Sequence, residues 1–414
     1  MIFKSFLFSV LVIIIGCALI PVPDILASSA KTNQQQAYMY LLLCALAVII
    51  GYFAPPLIRR TKKVHNRSDI AVSCDEIPTR HMLLLAIVAT IGFIIYIIQI
   101  NETVGVVQYF QVLLSANSSD VTNVLRAATM TLSSADGGLP GIIKVFEENT
   151  VIAAFCVLAL LARGYRIKTR VNIALAAIIC AMFIAGTILR IDRLSLLALG
   201  PVSFSLIRQT KSRYGRLIAL SCTLLLVVLM AVQSVRRGSE ISLIGWVGLY
   251  LNLGMLNLGL LINTLNQHTY GLAGVFSFVA WLFRGANMHI LPSTTYEFVF
   301  NPAQNGFGYM FLDFGWCGVI LFVLGGHIGR VVDNRVDAQG YKGGQWPEIQ
   351  WIVAYAILSL PTVPAYSGME FWLLLLLSVI LVKYITKRTG NNRQSKSSRA
   401  RAYTVTSAVH IAPL

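Results

Sequence analysis

Residues 82–100, MLLLAIVATIGFIIYIIQI, run for nineteen positions without a charged side chain. A helix needs about 20 predominantly apolar residues to cross the hydrocarbon core of a bilayer. Comparable runs recur at 217–233 and at 371–382 with its flanks. Inside a bilayer every backbone N–H and C=O must bond within the protein, so only helices or a closed barrel can span it. Barrel strands show alternating segments of about ten residues, and these runs do not alternate. Composition agrees: 56% of the 414 residues are hydrophobic, 12% are charged, and mean hydropathy is +0.71. A soluble domain carries roughly 25% charged residues. The predicted fold is an all-α polytopic membrane protein.

Apolar segments fall near 2–20, 38–58, 82–100, 147–162, 171–188, 194–207, 217–233, 307–328, 349–363 and 369–386. The first also resembles a signal peptide; it is read as a retained helix. Alternate connections are basic. Arg59, Arg60, Lys62, Lys63, Arg67 and Arg80 fill one, and Arg163, Arg166, Lys168 and Arg170 a second. Arg208, Lys211, Arg213 and Arg216 fill a third, and Arg330, Arg335 and Lys342 a fourth. Lys4, Lys383 and a basic, Ser-rich tail at 387–414 belong to the same side. The positive-inside rule makes that side cytoplasmic. Both termini then share one face, and ten helices satisfy the parity. Residues 241–263, ISLIGWVGLYLNLGMLNLGLLIN, and 271–283 leave a choice. Two further spans give twelve helices; alternatively both segments are re-entrant or interfacial on the outer side, suiting their Asn and Gly content. Residues 1–386 are read as one transmembrane domain, with outer loops at 101–146 and 234–306. The first loop reads as a packed surface loop, or as a lid or docking surface.

Only eight Lys and Arg remain on the outer side: Lys31, Arg126, Lys144, Arg190, Arg193, Arg236, Arg237 and Arg284. The last five are arginines at the ends of membrane segments. One such arginine can snorkel to headgroups, or pair with Asp192 at the surface for a fraction of a kcal/mol. Five, drawn from three connections, converge on one outer pocket if their helices pack together. A guanidinium is permanently charged and grips phosphate with two parallel hydrogen bonds. The cluster suits an amphiphile with an anionic head and an apolar tail, such as a lipid pyrophosphate. Asp192, between Arg190 and Arg193, is placed to orient them.

Asp313 stands in the apolar stretch NPAQNGFGYMFLDFGWCGVILFVLGG, residues 301–326, among Gly306, Gly308, Gly315 and Gly318. An acid within a membrane segment is costly and marks a candidate site. The plain alternative is an acid at a helix start, held by the positive helix end. Glu240, His289 and Glu297 are the other outward candidates for a base. His289 and Glu297 share a loop with Tyr296, Phe298 and Phe300, which suit either an interfacial belt or stacking on sugar rings. Seven cysteines include no C-x-x-C pair, and five lie in apolar runs as small core residues. No zinc signature, Walker loop or dinucleotide fingerprint occurs, so no metal or other cofactor is expected. Nothing points to nucleic acid.

The order of these features resembles the Wzy-like O-antigen polymerase, or oligosaccharide repeat-unit polymerase, family. The resemblance rests on the outward "R-x-D-R-x-x-x-L" turn at 190–197, the arginine pair 236–237, the Gly- and Asn-rich LYLNLGMLNLGLL, and GYMFLDFGWCG. It implies a multi-pass glycosyltransferase of the bacterial inner membrane, resembling the GT-C class and active at the periplasmic face. Such enzymes join oligosaccharide repeats carried on undecaprenyl pyrophosphate, in O-antigen and related lipopolysaccharide synthesis. They use neither metal nor nucleotide sugar, and a chain-length regulator protein is an implied partner. The chemistry needs fixed positive charge at the leaving pyrophosphate, the expected role of Arg190, Arg193, Arg236, Arg237 and Arg284. It also needs a base for the acceptor hydroxyl, expected in the order Asp313, Glu297, His289, Glu240. Two alternatives stay open: an O-antigen ligase, for which an outer-loop histidine such as His289 would be the base, and a lipid-linked-oligosaccharide flippase or other transporter. No internal repeat of the transporter kind is evident.

Overall fold

A computed structural model describes residues 34–55, 76–103, 105–114, 145–190, 194–209, 221, 254–255, 257–259, 261–263, 265, 268, 270, 306–339, 346–360 and 371–386. Among these residues the chain is almost entirely helical, without a strand. The described helices are α1 (Gln34–Phe53), α2 (Thr79–Thr103), α3 (Val106–Leu114) and α4 (Asn149–Ala162). They continue with α5 (Arg170–Arg190), α6 (Leu194–Gln209), α7 (Gly306–Phe314) and α8 (Gly318–Gln339). The last are α9 (Trp346–Ser359) and α10 (Phe371–Thr386). Four stretches among them are long and apolar enough to cross a membrane: Gln35–Phe53, Thr79–Glu102, Arg170–Thr187 and Gly306–Asp337. The segment expected near 2–20, most of that near 217–233, and the tail from 387 lie outside the described residues.

The outer surfaces of these helices are apolar. On α2, Leu83, Ile87, Ile91, Ile94 and Ile98 are exposed, at spacings of three and four that make one helical stripe. Ile320, Leu324, Ile328 and Val331 do the same on α8. A continuous exposed apolar stripe opposite an apolar buried face is stable when its solvent is lipid.

Inside, two cores share one helix. Met82, Leu85, Ile152, Phe155, Ile179, Phe183, Val202 and Leu374 build the first, from α2, α4, α5, α6 and α10. Tyr40, Cys44, Val48, Phe307, Phe311 and Phe322 build the second, from α1, α7 and α8. Met255, Leu258 and Leu261 join the second core from the Gly- and Asn-rich segment, whose described residues, 254–255, 257–259 and 261–263, are helical. Helix α9 faces both: Trp351, Ile352 and Tyr355 enter the first, Val353, Ile357 and Leu360 the second. The broadest helix pairing is α1 along α8. There Gly51 lies against Val323, and Gly326 against Val48 and Tyr52. A Cβ at either glycine would collide with the opposing backbone, so these small residues set the separation.

A group of paired polar side chains gathers at one end of the bundle. Past the end of α4, Arg163 grips Glu348 at the start of α9 through two hydrogen bonds, Nε to Oε1 at 2.6 Å and Nη2 to Oε2 at 2.5 Å. Late in α8, Asp333 accepts from Tyr52, late in α1, at 2.7 Å and from Gln350, early in α9, at 2.5 Å. Arg330 donates to the Ala54 carbonyl just past α1. Before α2, Glu76 accepts from the Thr169 backbone N–H at 2.8 Å. That hydrogen bond holds the Glu76 carboxyl below the usual carboxylate range. His81 at the start of α2 meets Tyr384 at the end of α10. Helices α1, α4, α6, α8 and α10 therefore run toward this end, and α2, α5 and α9 run away from it. The connections around Arg163–Arg170 and Arg330–Glu348 share the end, as their basic character predicts. Arg163 itself is not a headgroup charge: it is buried in the pair with Glu348.

Candidate functional site

Two of the features singled out for function fall among the described residues, the Arg190 end of α5 and Asp313, and both lie toward the opposite end. Helix α5 rises from Arg170 and closes at Arg190. Its last turn is held by the end of α2 and by α3: the Tyr109 hydroxyl on α3 donates to the Leu189 carbonyl, and Tyr96, Ile100 and Val106 pack around Leu189. Helix α3 is thus docked on the end of α5. The end of α5 at Arg190 stands at the end of the bundle away from Arg163, Glu348 and Asp333.

Asp313 lies toward the same end. Its helix, α7, starts where the Gly306 N–H donates to the Leu360 carbonyl at the far end of α9, at 2.7 Å. Asp313 is the penultimate residue of α7 and is fully buried. The long apolar stretch expected at 307–328 is not one helix. Phe314 leaves the helical region at φ −133°, and Gly315 adopts φ +57°. A 3₁₀ turn, Gly315–Cys317, leads into α8. The left-handed conformation suits glycine, which has no Cβ to clash with the following carbonyl. Asp313 is therefore not an acid at a helix start, as its alternative reading held. It sits beside the carbonyl end of α7, where a helix dipole offers no stabilisation to an anion.

The last carbonyls of a helix lack intrahelical donors. At this break they are met from two other parts of the chain. The Leu312 carbonyl accepts from His268 Nδ1 at 3.3 Å, and the Asp313 carbonyl from the Tyr270 N–H at 3.0 Å. The Tyr40 hydroxyl donates to the Gly315 carbonyl at 3.4 Å. Aromatic rings close around the break: Tyr40 lies edge-on to Phe311 at 5.3 Å and to Trp316 at 5.5 Å. His268 lies edge-on to Phe311 at 6.0 Å. Trp316 and Tyr270 keep exposed surface, and Tyr270 holds φ +52°, a conformation costly for a residue with a Cβ.

Of the residues expected at the site, Asp313 is described in full, and Arg190 by its backbone as the last residue of α5. Asp192, Arg193, Arg236, Arg237, Glu240, Arg284, His289 and Glu297 lie outside the described residues. The structure adds Tyr40, His268 and Tyr270. The last two stand in TLNQHTYG, a stretch notable in the sequence only for lacking Lys and Arg. What marks them is their meeting with the end of α7, across more than forty residues of chain. No family model matches this chain, and no curated protein and no solved structure matches it either.

Proposed function

We propose that this chain is a multi-pass glycosyltransferase that polymerises lipid-linked oligosaccharide repeats at the outer face of a bacterial inner membrane, with about ten helices and a GT-C-like arrangement. The observation that supports this reading is topological. The end of α5 at Arg190, and the helix break that carries buried Asp313, lie toward the same end of the bundle. That end is opposite the one where Arg163, Glu348 and Asp333 gather.

In the proposed reaction a hydroxyl of the incoming repeat attacks the anomeric carbon of the growing chain. A C–O bond forms, and the bond from that carbon to the pyrophosphate oxygen breaks. The electron pair leaves with the lipid pyrophosphate, and the hydroxyl proton passes to the base. Arg190, Arg193, Arg236, Arg237 and Arg284 would stabilise the departing charge, as fixed cations do most effectively where charge develops. Asp313 is the first candidate for the base. In the membrane interior it has little competing water, and a carboxylate there is a strong acceptor.

Deleting the gene in its host and resolving surface polysaccharide by gel tests the reading. A polymerase loss leaves lipid core bearing a single repeat, whereas a ligase loss leaves bare core. An unchanged ladder overturns the proposal. In the same strain Asp313→Asn should complement about 10²-fold to 10⁴-fold less well than the unsubstituted gene, the usual worth of a general base. Arg193→Lys and Arg237→Lys should also impair the ladder although charge is kept, because the two-pronged grip on phosphate is lost.

A further inference from the structure

We infer that His268 is a positioning residue for Asp313: its Nδ1–H holds the end of α7, and so fixes where the Asp313 carboxyl points. The inference rests on the proposal that Asp313 is the base. A carbonyl oxygen only accepts, so the 3.3 Å contact between His268 Nδ1 and Leu312 O assigns the hydrogen to Nδ1. The ring has little freedom to do otherwise. One edge meets Phe311 at 6.0 Å and 78°. On the other side Nε2 lies where Gly315 has no side chain; a Cβ there would stand 2.7 Å from Nε2 and 2.8 Å from Cε1. The imidazole is wedged between the last turn of α7 and the glycine that ends it.

The wedge matters because of what it is attached to. Asp313 follows Leu312 directly, and its own carbonyl is held by the Tyr270 N–H, two residues from His268. Successive peptide units on both sides of the Asp313 Cα are therefore tied to one short segment, 268–270. A nine-residue helix that ends in a glycine break has few internal bonds of its own to hold that last turn. Tyr270 accepts a strained backbone at φ +52° to make its bond, and such strain persists only where surrounding structure imposes it. Removing the Nδ1 donor takes away one of the ties that hold the last turn of α7 to residues 268 and 270. A displacement near 1 Å at a reacting group can cost about 10²-fold in rate.

Asparagine and glutamine separate this role from others. The Asn amide can occupy the place of Nδ1 and donate to Leu312; the Gln amide reaches the place of Nε2, against Gly315. In a deletion strain complemented with each variant, His268→Asn should keep the polysaccharide ladder within a few-fold of the unsubstituted chain. His268→Gln and His268→Leu should lose about ten-fold or more. Cys317, exposed in the 3₁₀ turn, gives a readout independent of function. In a full-length chain keeping Cys317 as its sole cysteine, its rate of reaction with N-ethylmaleimide should change with Gln or Leu at 268 and not with Asn. If Gln or Leu leaves both ladder and Cys317 rate unchanged, the inference is overturned. It is equally overturned if Asn behaves like Leu while the purified protein melts normally, since the imidazole itself would then be required. If gene deletion leaves the ladder intact but the Cys317 rates follow the expected pattern, the proposed function fails and the latch on α7 stands.

Discussion

Gly315 is the residue on which the site geometry turns. Two costs fall on any side chain placed there: a left-handed backbone at φ +57°, worth about 1 to 2 kcal/mol for a residue with a Cβ, and a collision with the His268 ring. Gly315→Ala should lower the melting temperature of the detergent-solubilised protein by several degrees, and should change Cys317 reactivity in the same sense as His268→Leu. Unaltered melting and reactivity would show that the break does not depend on the glycine. Asp313 was visible in the sequence as an acid in an apolar stretch. Its position beside a carbonyl end was not visible, because LDFGWCG suits an uninterrupted helix almost as well as a broken one. The sign of φ at Gly315 depends on what packs against it, and that is His268, contributed from 47 positions earlier in the chain.

Among elements, α9 carries the connection between the two cores, and its start is pinned by the Arg163–Glu348 pair. Both side chains are nearly inaccessible, at 4% and 1% exposure. Breaking a buried pair from one side leaves an uncompensated charge and costs about 3 to 5 kcal/mol, whereas replacing both partners with apolar groups of similar volume is often neutral. Arg163→Met or Glu348→Leu alone should therefore sharply reduce the yield of monodisperse protein, and the double substitution should recover most of it. Equal loss in the double variant would mean that the pair contributes more than mutual compensation. The effect should reach the site, because the far end of α9 receives the Gly306 N–H that starts α7. The four described stretches long enough to span were legible from hydropathy, since length and apolarity decide insertion. Helix α3 was not separable from its loop: nine residues carry too little periodic signal, and it is fixed by docking Tyr109 on Leu189.

At the scale of the molecule, the described residues define two ends. The structure sets Glu76, Arg166, Thr169, Asp333 and Glu348 at one end and Leu189, Tyr109 and Leu360 toward the other. The positive-inside rule predicts that the first end faces the cytoplasm. Single cysteines at Lys168 and at Asn101, each in a cysteine-free chain, make that assignment measurable. In intact cells whose outer membrane has been permeabilised, an impermeant maleimide should label Asn101→Cys at once, and Lys168→Cys only after the inner membrane is opened. The reverse pattern would place the Arg190 end of α5 and Asp313 toward the cytoplasm and remove the basis of the proposed reaction. What the sequence by itself determined was the solvent of this protein and its helical class. Both follow from the cost of placing unbonded backbone in hydrocarbon, a cost paid locally, residue by residue. Only the tertiary structure decided that the long apolar stretch after Gly306 breaks at Gly315, that Arg163 is an internal charge, and that His268 and Tyr270 meet the end of α7. Those outcomes depend on contacts between segments far apart in the chain, where no local propensity reaches.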